Sequence, residues 1–134
     1  MVETLETATT WSNLGALRAA VTRALAGALD APLVLCHASH VYATGASLYF
    51  TAFAAQDRDG AAGQWQRAKT AAMDAIAGAG GTITHHHAVG ADHGPWLPAE
   101  TGPLGHDLLR ALKERCDPAG IMNPGKLGLE SFLA

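Results

Sequence analysis

The sequence predicts an α+β fold in which helices lie on one face of an antiparallel sheet. Two long segments repeat apolar residues at helical spacing, and two shorter segments are rich in β-branched and aromatic residues. The chain has 134 residues, of which 49% are apolar and 16% are charged, so a hydrophobic core is expected. The expected order is helix, strand, strand, helix, strand, followed by a histidine- and glycine-rich loop and a C-terminal helix.

The first helix is expected over residues 12 to 29, where apolar side chains recur at steps of three and four. These side chains are Leu14, Leu17, Val21, Leu25 and Leu29. The segments PLVLCHASHVY and GASLYFTAFAA follow, and their composition predicts two antiparallel strands joined at Ala43, Thr44 and Gly45.

A second helix is expected after the polar loop at residues 56 to 60. Its apolar face is marked by Trp65, Ala68, Ala72, Ile76 and Ala79. The glycines from Gly78 to Gly81 are interpreted as the turn that ends this helix, because a phosphate-binding loop would stand between a strand and a helix. Thr82, Ile83 and Thr84 then predict a short strand.

The segment from His85 to Leu104 is rich in glycine, proline and histidine, and it is predicted to be a long loop of the kind that carries function. A third helix is expected from Leu104 to Cys116, with Leu104, Leu108 and Leu112 facing inward. Asp117 and Pro118 are predicted to end it.

Charge and composition exclude several classes of function. The formal net charge is -3, which offers no basic surface for a phosphate backbone and argues against a nucleic-acid partner. No apolar run approaches the roughly 20 residues of a spanning helix, so we expect a soluble, cytoplasmic protein with no transmembrane segment. Cys36 and Cys116 are expected to be buried thiols in a reducing compartment.

Three imidazoles stand in succession at His85, His86 and His87. In an extended segment His85 and His87 would share one face about 6.5 Å apart, while His86 would face the other way. Imidazole exchanges protons near neutral pH, which favours a catalytic or cofactor contact.

Two other interpretations of the triplet stay open. The histidines could be partly exposed polar residues at the end of a strand. They could also bind zinc, with His93, His37 or His40 as a third ligand, although no nearby cysteine or carboxylate completes a closed site in the sequence.

The motifs HHHAVGADHGPWL and DPAGIMNPGKL resemble the C-terminal end of FAD-linked oxidases of the vanillyl-alcohol-oxidase superfamily. Together with ETATTW and TGASLYF, the triplet resembles the alkyldihydroxyacetonephosphate synthase branch over nearly the whole chain. The resemblance implies the ferredoxin-like half of a substrate (cap) domain over residues 1–84. Residues 85–134 would form a histidine-rich loop, a helix and a tail that returns to an FAD-binding domain.

The resemblance also implies roles for individual residues. It places the three histidines from His85 to His87 beside the flavin ring, where they would handle protons and the last two would contact the cofactor. Tyr49, in SLYF, matches the tyrosine that the branch uses as an acid and base on the substrate. Asn123 is expected to contact the cofactor, whereas Tyr42 is interpreted as an aromatic residue in a sheet. Ala88 stands where these relatives commonly have glycine.

The activity implied by the resemblance is the exchange of the acyl chain of an acyl-dihydroxyacetone phosphate for a fatty alcohol, through a covalent flavin adduct and without net redox change. The cofactor is FAD, held mostly by a region absent from this chain, because no glycine-rich pyrophosphate loop is found. We therefore expect an FAD-binding domain or chain in trans, a small-molecule or lipid-like substrate, self-association, and no activity without the FAD-binding domain.

Two alternatives to this activity stay open. One is a fragment of an FAD-dependent D-2-hydroxyacid dehydrogenase that acts on lactate or glycolate, because such enzymes share the NPGK ending. The other is a non-catalytic αββα binding module whose histidines bind a metal or nothing.

Overall fold

The structure, a computed structural model, describes residues 1–129. The chain divides into two compact units, Met1–His87 and Ala88–Ala134. The first unit contains β1 (Val2–Thr10), α1 (Leu14–Ala28), β2 (Leu33–Val41), β3 (Gly45–Phe53) and α2 (Ala61–Gly78). The second contains α3 (Leu97–Cys116), and 3₁₀ turns at Trp11–Asn13 and Gly94–Trp96 precede α1 and α3.

The three strands form one antiparallel sheet in the order β1-β3-β2, so β3 lies at its centre. Tyr49 on β3 is paired with Glu6 on one side and with His37 on the other. The predicted α+β class is confirmed, as are the two helices and two strands of the first unit. The third strand, however, is β1 and not the segment Thr82–Thr84.

Strand β1 was missed because its sequence, VETLETATT, lacks the apolar alternation of a half-buried strand. Its two glutamates occupy opposite faces of the sheet, and each has partners there. On one face Glu3 accepts hydrogen bonds from Nε1 of Trp65 and Nζ of Lys69, at 2.6 and 3.1 Å. These contacts with α2 offset the cost of placing a carboxylate between sheet and helix.

The segment Thr82–Thr84 runs beside β1 without becoming a strand, so that prediction was wrong. The N–H of Thr82 donates to the carbonyl of Ala8, and the N–H of His85 donates to the carbonyl of Glu6. The carbonyl of Thr82 accepts a hydrogen bond from the hydroxyl of Thr7, so a side chain also ties this segment to β1.

Helices α1 and α2 cover one face of the sheet and close the core of the first unit. The predicted helical stripes are confirmed, because their central residues are fully or almost fully buried. These include Leu17, Val21 and Leu25 of α1 and Ala68, Ala72 and Ile76 of α2, which share the core with Leu5, Leu48 and Phe50 of the sheet. The opposite face of the sheet is not covered by these helices, and we call it the open face.

Helix α2 ends at Gly78, and the glycines after it form the predicted turn. Gly80 has a φ of 70°, in the left-handed region that glycine adopts without strain. Its N–H donates to the carbonyl of Ala77, and the N–H of Gly81 donates to that of Ile76. This arrangement is a Schellman motif, so the interpretation of these glycines as a helix end is confirmed.

The open face exposes an apolar patch at the end remote from the histidines. Val2, Phe53 and Leu33 are aligned across the three strands, and Leu35 lies two residues further along β2. All four side chains are exposed. Because side chains at alternate positions share a face, this apolar patch (Val2, Leu33, Leu35, Phe53) is continuous with the face that carries Glu6 and Tyr49.

Helix α3 begins earlier than predicted. It starts at Leu97, so the predicted loop does not extend to Leu104. Gly102, with φ 71° and ψ 170°, divides α3 into two helices, and the second contains the predicted helix from Leu104 to Cys116. The expectation that Leu104, Leu108 and Leu112 face inward is wrong, since they are 73%, 58% and 62% exposed. Periodicity locates an apolar stripe but does not supply its partner. In residues 1–129 no helix is long and apolar enough to cross a membrane.

The two cysteines are free, but only one is even partly buried. Cys36, on β2, is half-buried beside Arg18 of α1, and burial raises the pKa of its thiol. Cys116 is exposed at the end of α3, so the expectation of two buried thiols is wrong for this residue.

Candidate active site

A buried carboxylate lies at the centre of the polar half of the open face. Glu6 is only 5% exposed, and pairing across the sheet places it beside Tyr49. An ionised carboxylate that is buried without partners would destabilise the fold by several kcal/mol, on the order given by desolvation. Its stability at this position therefore depends on the donors around it.

A β-bulge in β2 supplies two of these donors. The pairing of β2 with β3 is irregular between Ala38 and Val41, and such a bulge lets consecutive side chains reach the same face. The hydroxyl of Ser39 donates to Oε1 of Glu6, and Nδ1 of His40 lies 3.2 Å from the same oxygen. Ser47 on β3 completes the group, because its hydroxyl is 2.6 Å from that of Ser39.

These donors keep Glu6 ionised. Burial raises the pKa of the Glu6 carboxyl, but hydrogen bonds from Ser39, Ser47, His85 and His40 outweigh burial. The net result lowers the pKa of Glu6 from 4.5 to about 2. At neutral pH the open face therefore holds a fixed negative charge below its imidazole rings.

The histidine triplet lies around this charge. Nδ1 of His85 is 3.3 Å from Oε1 of Glu6, and Nε2 of His87 is 3.5 Å from Oε2. His86 has a φ of 60°, so the segment bends and is not extended as predicted. The bend places the ring of His86 4.2 Å from that of His85 and 4.6 Å from that of His40.

Tyr49 lies beside the triplet through its ring. Its centroid is 5.4 Å from that of His87, in an edge-on arrangement, and 5.4 Å from that of His37, with which it is stacked. The structure thus brings Tyr49 and His87 into ring contact, although they are 38 positions apart in the sequence.

Tyr42 lies in a different setting from the one predicted. It follows the last residue of β2, outside the strand, and its side chain is 45% exposed. Its hydroxyl is 3.1 Å from Nε2 of His85. The interpretation of Tyr42 as an aromatic residue packed in the sheet is therefore wrong, because its polar end contacts the triplet.

Three of the histidines could also hold a metal ion. One ligand atom from each of His40, His85 and His86 lies within 4.8 Å of the others. The sequence suggested His85 and His87 as the metal-binding pair and no carboxylate nearby. The structure instead brings His85 together with its neighbour His86, and Glu6 lies directly behind His40 and His85.

The second unit carries the remaining predicted site residue. Asn123 has a φ of 49° and lines a cavity of about 390 Å³ together with Lys113, Met122 and Lys126. At the start of this unit Ala88 has a φ of 28°, so an alanine adopts a left-handed backbone conformation that favours glycine.

Asp117 organises the turn that leads to Asn123. Hydrogen bonds from Lys113 and from the backbone N–H groups of Met122 and Ile121 lower the pKa of Asp117, although burial opposes them. Lys113 also donates to the carbonyl of Met122. The prediction that the helix ends at Asp117 is confirmed, since α3 ends at Cys116.

Sequence reasoning missed Glu6, Ser39 and Ser47, and it assigned no role to Tyr42. The available signal was weak: a charged residue at an alternating position of a threonine-rich segment, and a serine and histidine side by side at the end of a strand. The pairing of β1 with β3 places this glutamate beside Tyr49, and its contacts with His85 and His87 show that it faces the triplet.

Comparisons with known proteins agree with the motifs. Residues 1–127 match the family described as FAD linked oxidases, C-terminal domain. Alkyldihydroxyacetonephosphate synthase from Trypanosoma brucei brucei is 37% identical over 92 residues, which cover 69% of this chain and 15% of that protein. The synthase from Dictyostelium discoideum is 38% identical over 97 residues, covering 72% of this chain and 16% of that protein.

The fold agrees as well. A solved structure of alkyldihydroxyacetonephosphate synthase superposes with a TM-score of 0.59 and 28% identity, covering 92% of this chain and 20% of that chain. The chain thus spans 15% and 16% of the length of the two curated relatives.

Proposed function

We propose that this chain, which belongs to the family described as FAD linked oxidases, C-terminal domain, contributes to the active site of an FAD-dependent enzyme. It would form the substrate side of that site, and the enzyme would resemble alkyldihydroxyacetonephosphate synthase. The proposed reaction replaces the acyl chain of an acyl-dihydroxyacetone phosphate with a fatty alcohol. A single observation carries the proposal: Tyr49, His85 and His87, far apart in the sequence, meet on the open face around an ionised Glu6.

The imidazole rings on the open face are suited to contact the edge of a flavin ring. Imidazole nitrogens can donate to or accept from the heteroatoms at the edge of the ring, and His86 and His87 are the proposed contacts. Asn123 is a proposed cofactor contact from the second unit. Because the chain spans about 15% of its relatives' length, we propose that another domain or a partner chain holds the pyrophosphate.

Bound FAD would supply an electrophilic centre for the substrate carbon. This chain would supply the proton chemistry. Tyr49 would remove and return a proton on the substrate, and His87, whose ring lies against it, would accept or donate hydrogen bonds there. Glu6 would stabilise positive charge on the imidazoles whenever they are protonated.

The test is an exchange assay on the intact protein that carries this chain, with FAD, an acyl-dihydroxyacetone phosphate and a labelled fatty alcohol. We expect the label in an ether product, and a loss of turnover of about 100-fold or more in Tyr49→Phe, the usual contribution of an acid or base. If the label stays in the alcohol while lactate or glycolate reduces the flavin, the protein is a D-2-hydroxyacid dehydrogenase and the exchange proposal is wrong.

A second candidate function is metal binding by a non-catalytic module. The proximity of His40, His85 and His86 favours it, and Glu6 would orient two of the ligands from behind, as second-sphere carboxylates do in zinc sites. Metal analysis of protein purified without a histidine tag tests it. Stoichiometric zinc that is lost in His40→Ala and His86→Ala, but kept in His93→Ala, would support this function.

A further inference from the structure

We propose that Glu6, His85 and Tyr42 form a hydrogen-bond relay that makes the exposed hydroxyl of Tyr42 a second proton-transfer group on the open face. In this relay Glu6 is a positioning residue that acts through His85. Transfer of the Tyr42 hydroxyl proton to or from a substrate rests on the proposed function, whereas the existence of the relay does not.

The inner end of the relay is fixed by the chemistry of a carboxylate. An ionised carboxylate has only acceptors, so every nitrogen that hydrogen-bonds to it must carry a proton. Oε1 of Glu6 lies 3.3 Å from Nδ1 of His85 and 3.2 Å from Nδ1 of His40. Within the relay, Nδ1 of His85 therefore carries the proton that it donates to the ionised Glu6.

The tautomer of His85 follows from this contact. A neutral imidazole has one N–H donor and one lone-pair acceptor, so protonation at Nδ1 leaves Nε2 as the acceptor. Within residues 1–129, the hydrogen-bond partner found for Nε2 of His85 is the hydroxyl of Tyr42, at 3.1 Å. The hydroxyl must then donate, and the order of groups is carboxylate, imidazole, phenol.

Exposure increases along the relay in the direction that proton exchange requires. The side chain of Glu6 is 3% exposed and that of His85 is 17% exposed, while Tyr42 is 45% exposed. The charge that holds the tautomer is thus shielded from solvent, and the group that exchanges the proton is accessible to a ligand.

The contacts of Tyr49 are of another kind. The structure gives Tyr49 ring contacts with His37 and His87, whereas it gives Tyr42 a hydroxyl contact with an imidazole whose tautomer is fixed. Tyr42 is accordingly the tyrosine whose hydroxyl proton has a base already in position.

The proton step balances within the relay. The O–H bond of Tyr42 breaks and an N–H bond forms at Nε2 of His85, which leaves a phenolate and an imidazolium. The imidazolium carries both ring protons and faces the Glu6 carboxylate. The phenolate then takes a proton from the substrate, and His85 returns its own when the substrate is reprotonated, so no oxidant or reductant is needed.

The relay is tested by nitrogen NMR of the imidazole rings in the folded chain, at a mildly alkaline pH where neutral histidine predominates. We expect His85 to show the Nδ1–H tautomer, with Tyr42→Phe shifting its Nε2 resonance. Tyr49→Phe, which removes the other phenolic hydroxyl, should leave that resonance unchanged. An Nε2–H tautomer of His85, or an Nε2 resonance of His85 that is unchanged in Tyr42→Phe, would overturn the relay.

The role of Glu6 needs its own variant. Glu6→Gln keeps the size of the side chain but replaces one acceptor oxygen with an N–H₂ donor, so His85 should lose its strong preference for the Nδ1–H tautomer. Retention of that preference in a folded Glu6→Gln protein would overturn the positioning role. If Glu6→Gln does not fold, the Tyr42→Phe comparison still decides whether the relay exists.

The use of the relay is tested separately in the exchange assay. Tyr42→Phe should lower kcat about tenfold or more, leave KM nearly unchanged and alter the dependence of kcat on pH. Unchanged turnover would overturn the catalytic role of Tyr42 even if the NMR result holds. A relay seen by NMR in a protein that performs no exchange would overturn the proposed function and leave the relay standing.

Discussion

The carboxylate of Glu6 lies 3.3 Å from Nδ1 of His85, although 79 residues separate them in the sequence. A backbone hydrogen bond from the N–H of His85 to the carbonyl of Glu6 supports the same contact. Strand β1 therefore fixes both the backbone and the first ring of the triplet. The chemistry that the motif HHHAVG suggests depends on a residue in the first ten positions of the chain.

The stability of the first unit should fall in acid because of Glu6. The pKa of Glu6 is about 2 in the folded protein and 4.5 when unperturbed, so the ionised form is favoured by folding. Its contribution is present above pH 4.5 and is lost as the pH falls towards 2. We expect a loss of about 3 kcal/mol, from 1.36 kcal/mol per pH unit, measured by urea unfolding across this range.

Glu6→Gln is the control for this pH dependence, because a neutral amide resembles the protonated acid. The two proteins should differ most in free energy of unfolding near neutral pH and converge near pH 2. Parallel pH profiles for wild type and variant would show that Glu6 is not the group responsible.

Removing only one partner of the ion pair between Glu3 and Lys69 should lower the free energy of unfolding. Their charged atoms are 3.1 Å apart, and both side chains are largely buried, at 13% and 6% exposure. Lys69→Met would leave a carboxylate with Trp65 as its remaining donor, so we expect a loss of about 2 to 3 kcal/mol in unfolding free energy. The double variant Glu3→Gln with Lys69→Met should be more stable than Lys69→Met, and the reverse order would contradict this interpretation.

Two glycines at the end of α2 provide a matched pair. Gly80 has a φ of 70°, so Gly80→Ala should destabilise the protein by about 1 to 2 kcal/mol, the cost of a left-handed residue that has a Cβ. Gly78 is helical and has nothing within 4 Å of an added Cβ, so Gly78→Ala should be neutral or stabilising by up to about 1 kcal/mol. Thermal unfolding compares them, and equal effects would rule out the conformational explanation.

The apolar patch should cause the isolated chain to self-associate, since apolar surface of this kind favours association. We expect sedimentation velocity to show dimers or larger species, and Leu33→Ser with Leu35→Ser to shift them towards monomer. Leu104→Ser compares this patch with the exposed stripe of α3, and a shift to monomer in Leu104→Ser alone would assign the association to that stripe. A monomer at all concentrations would contradict the expectation of self-association.

The sequence predicted the fold best where one face of an element is apolar. Helices α1 and α2 were predicted because buried residues such as Leu17 and Ile76 recur at helical spacing. Strand β1 was not predicted because Glu3 stands on the helix-covered face, where an apolar residue is expected. The hydrogen-bond partners of Glu3 and Glu6 come from positions 33 to 79 residues away in the sequence. The stripe on α3 was recognised, but periodicity gives no information about what it contacts.

The site was predictable only in part for the same reason. The triplet and Tyr49 belong to contiguous motifs, and the structure brings them together. Glu6 and Tyr42 reach the triplet through strand pairing, a bulge and a bend at His86, none of which local sequence specifies. Long-range contacts of this kind are set by the register of the sheet.

The proposed position of the histidines beside the flavin is most directly tested by a visible absorption spectrum. The intact protein that carries this chain would be incubated with FAD and freed of unbound cofactor by gel filtration, alongside His86→Ala with His87→Ala. We predict retained flavin in the wild type and a shifted or weakened flavin band in the double variant. Flavin bands of equal position and intensity in both proteins would contradict a contact between these histidines and the ring.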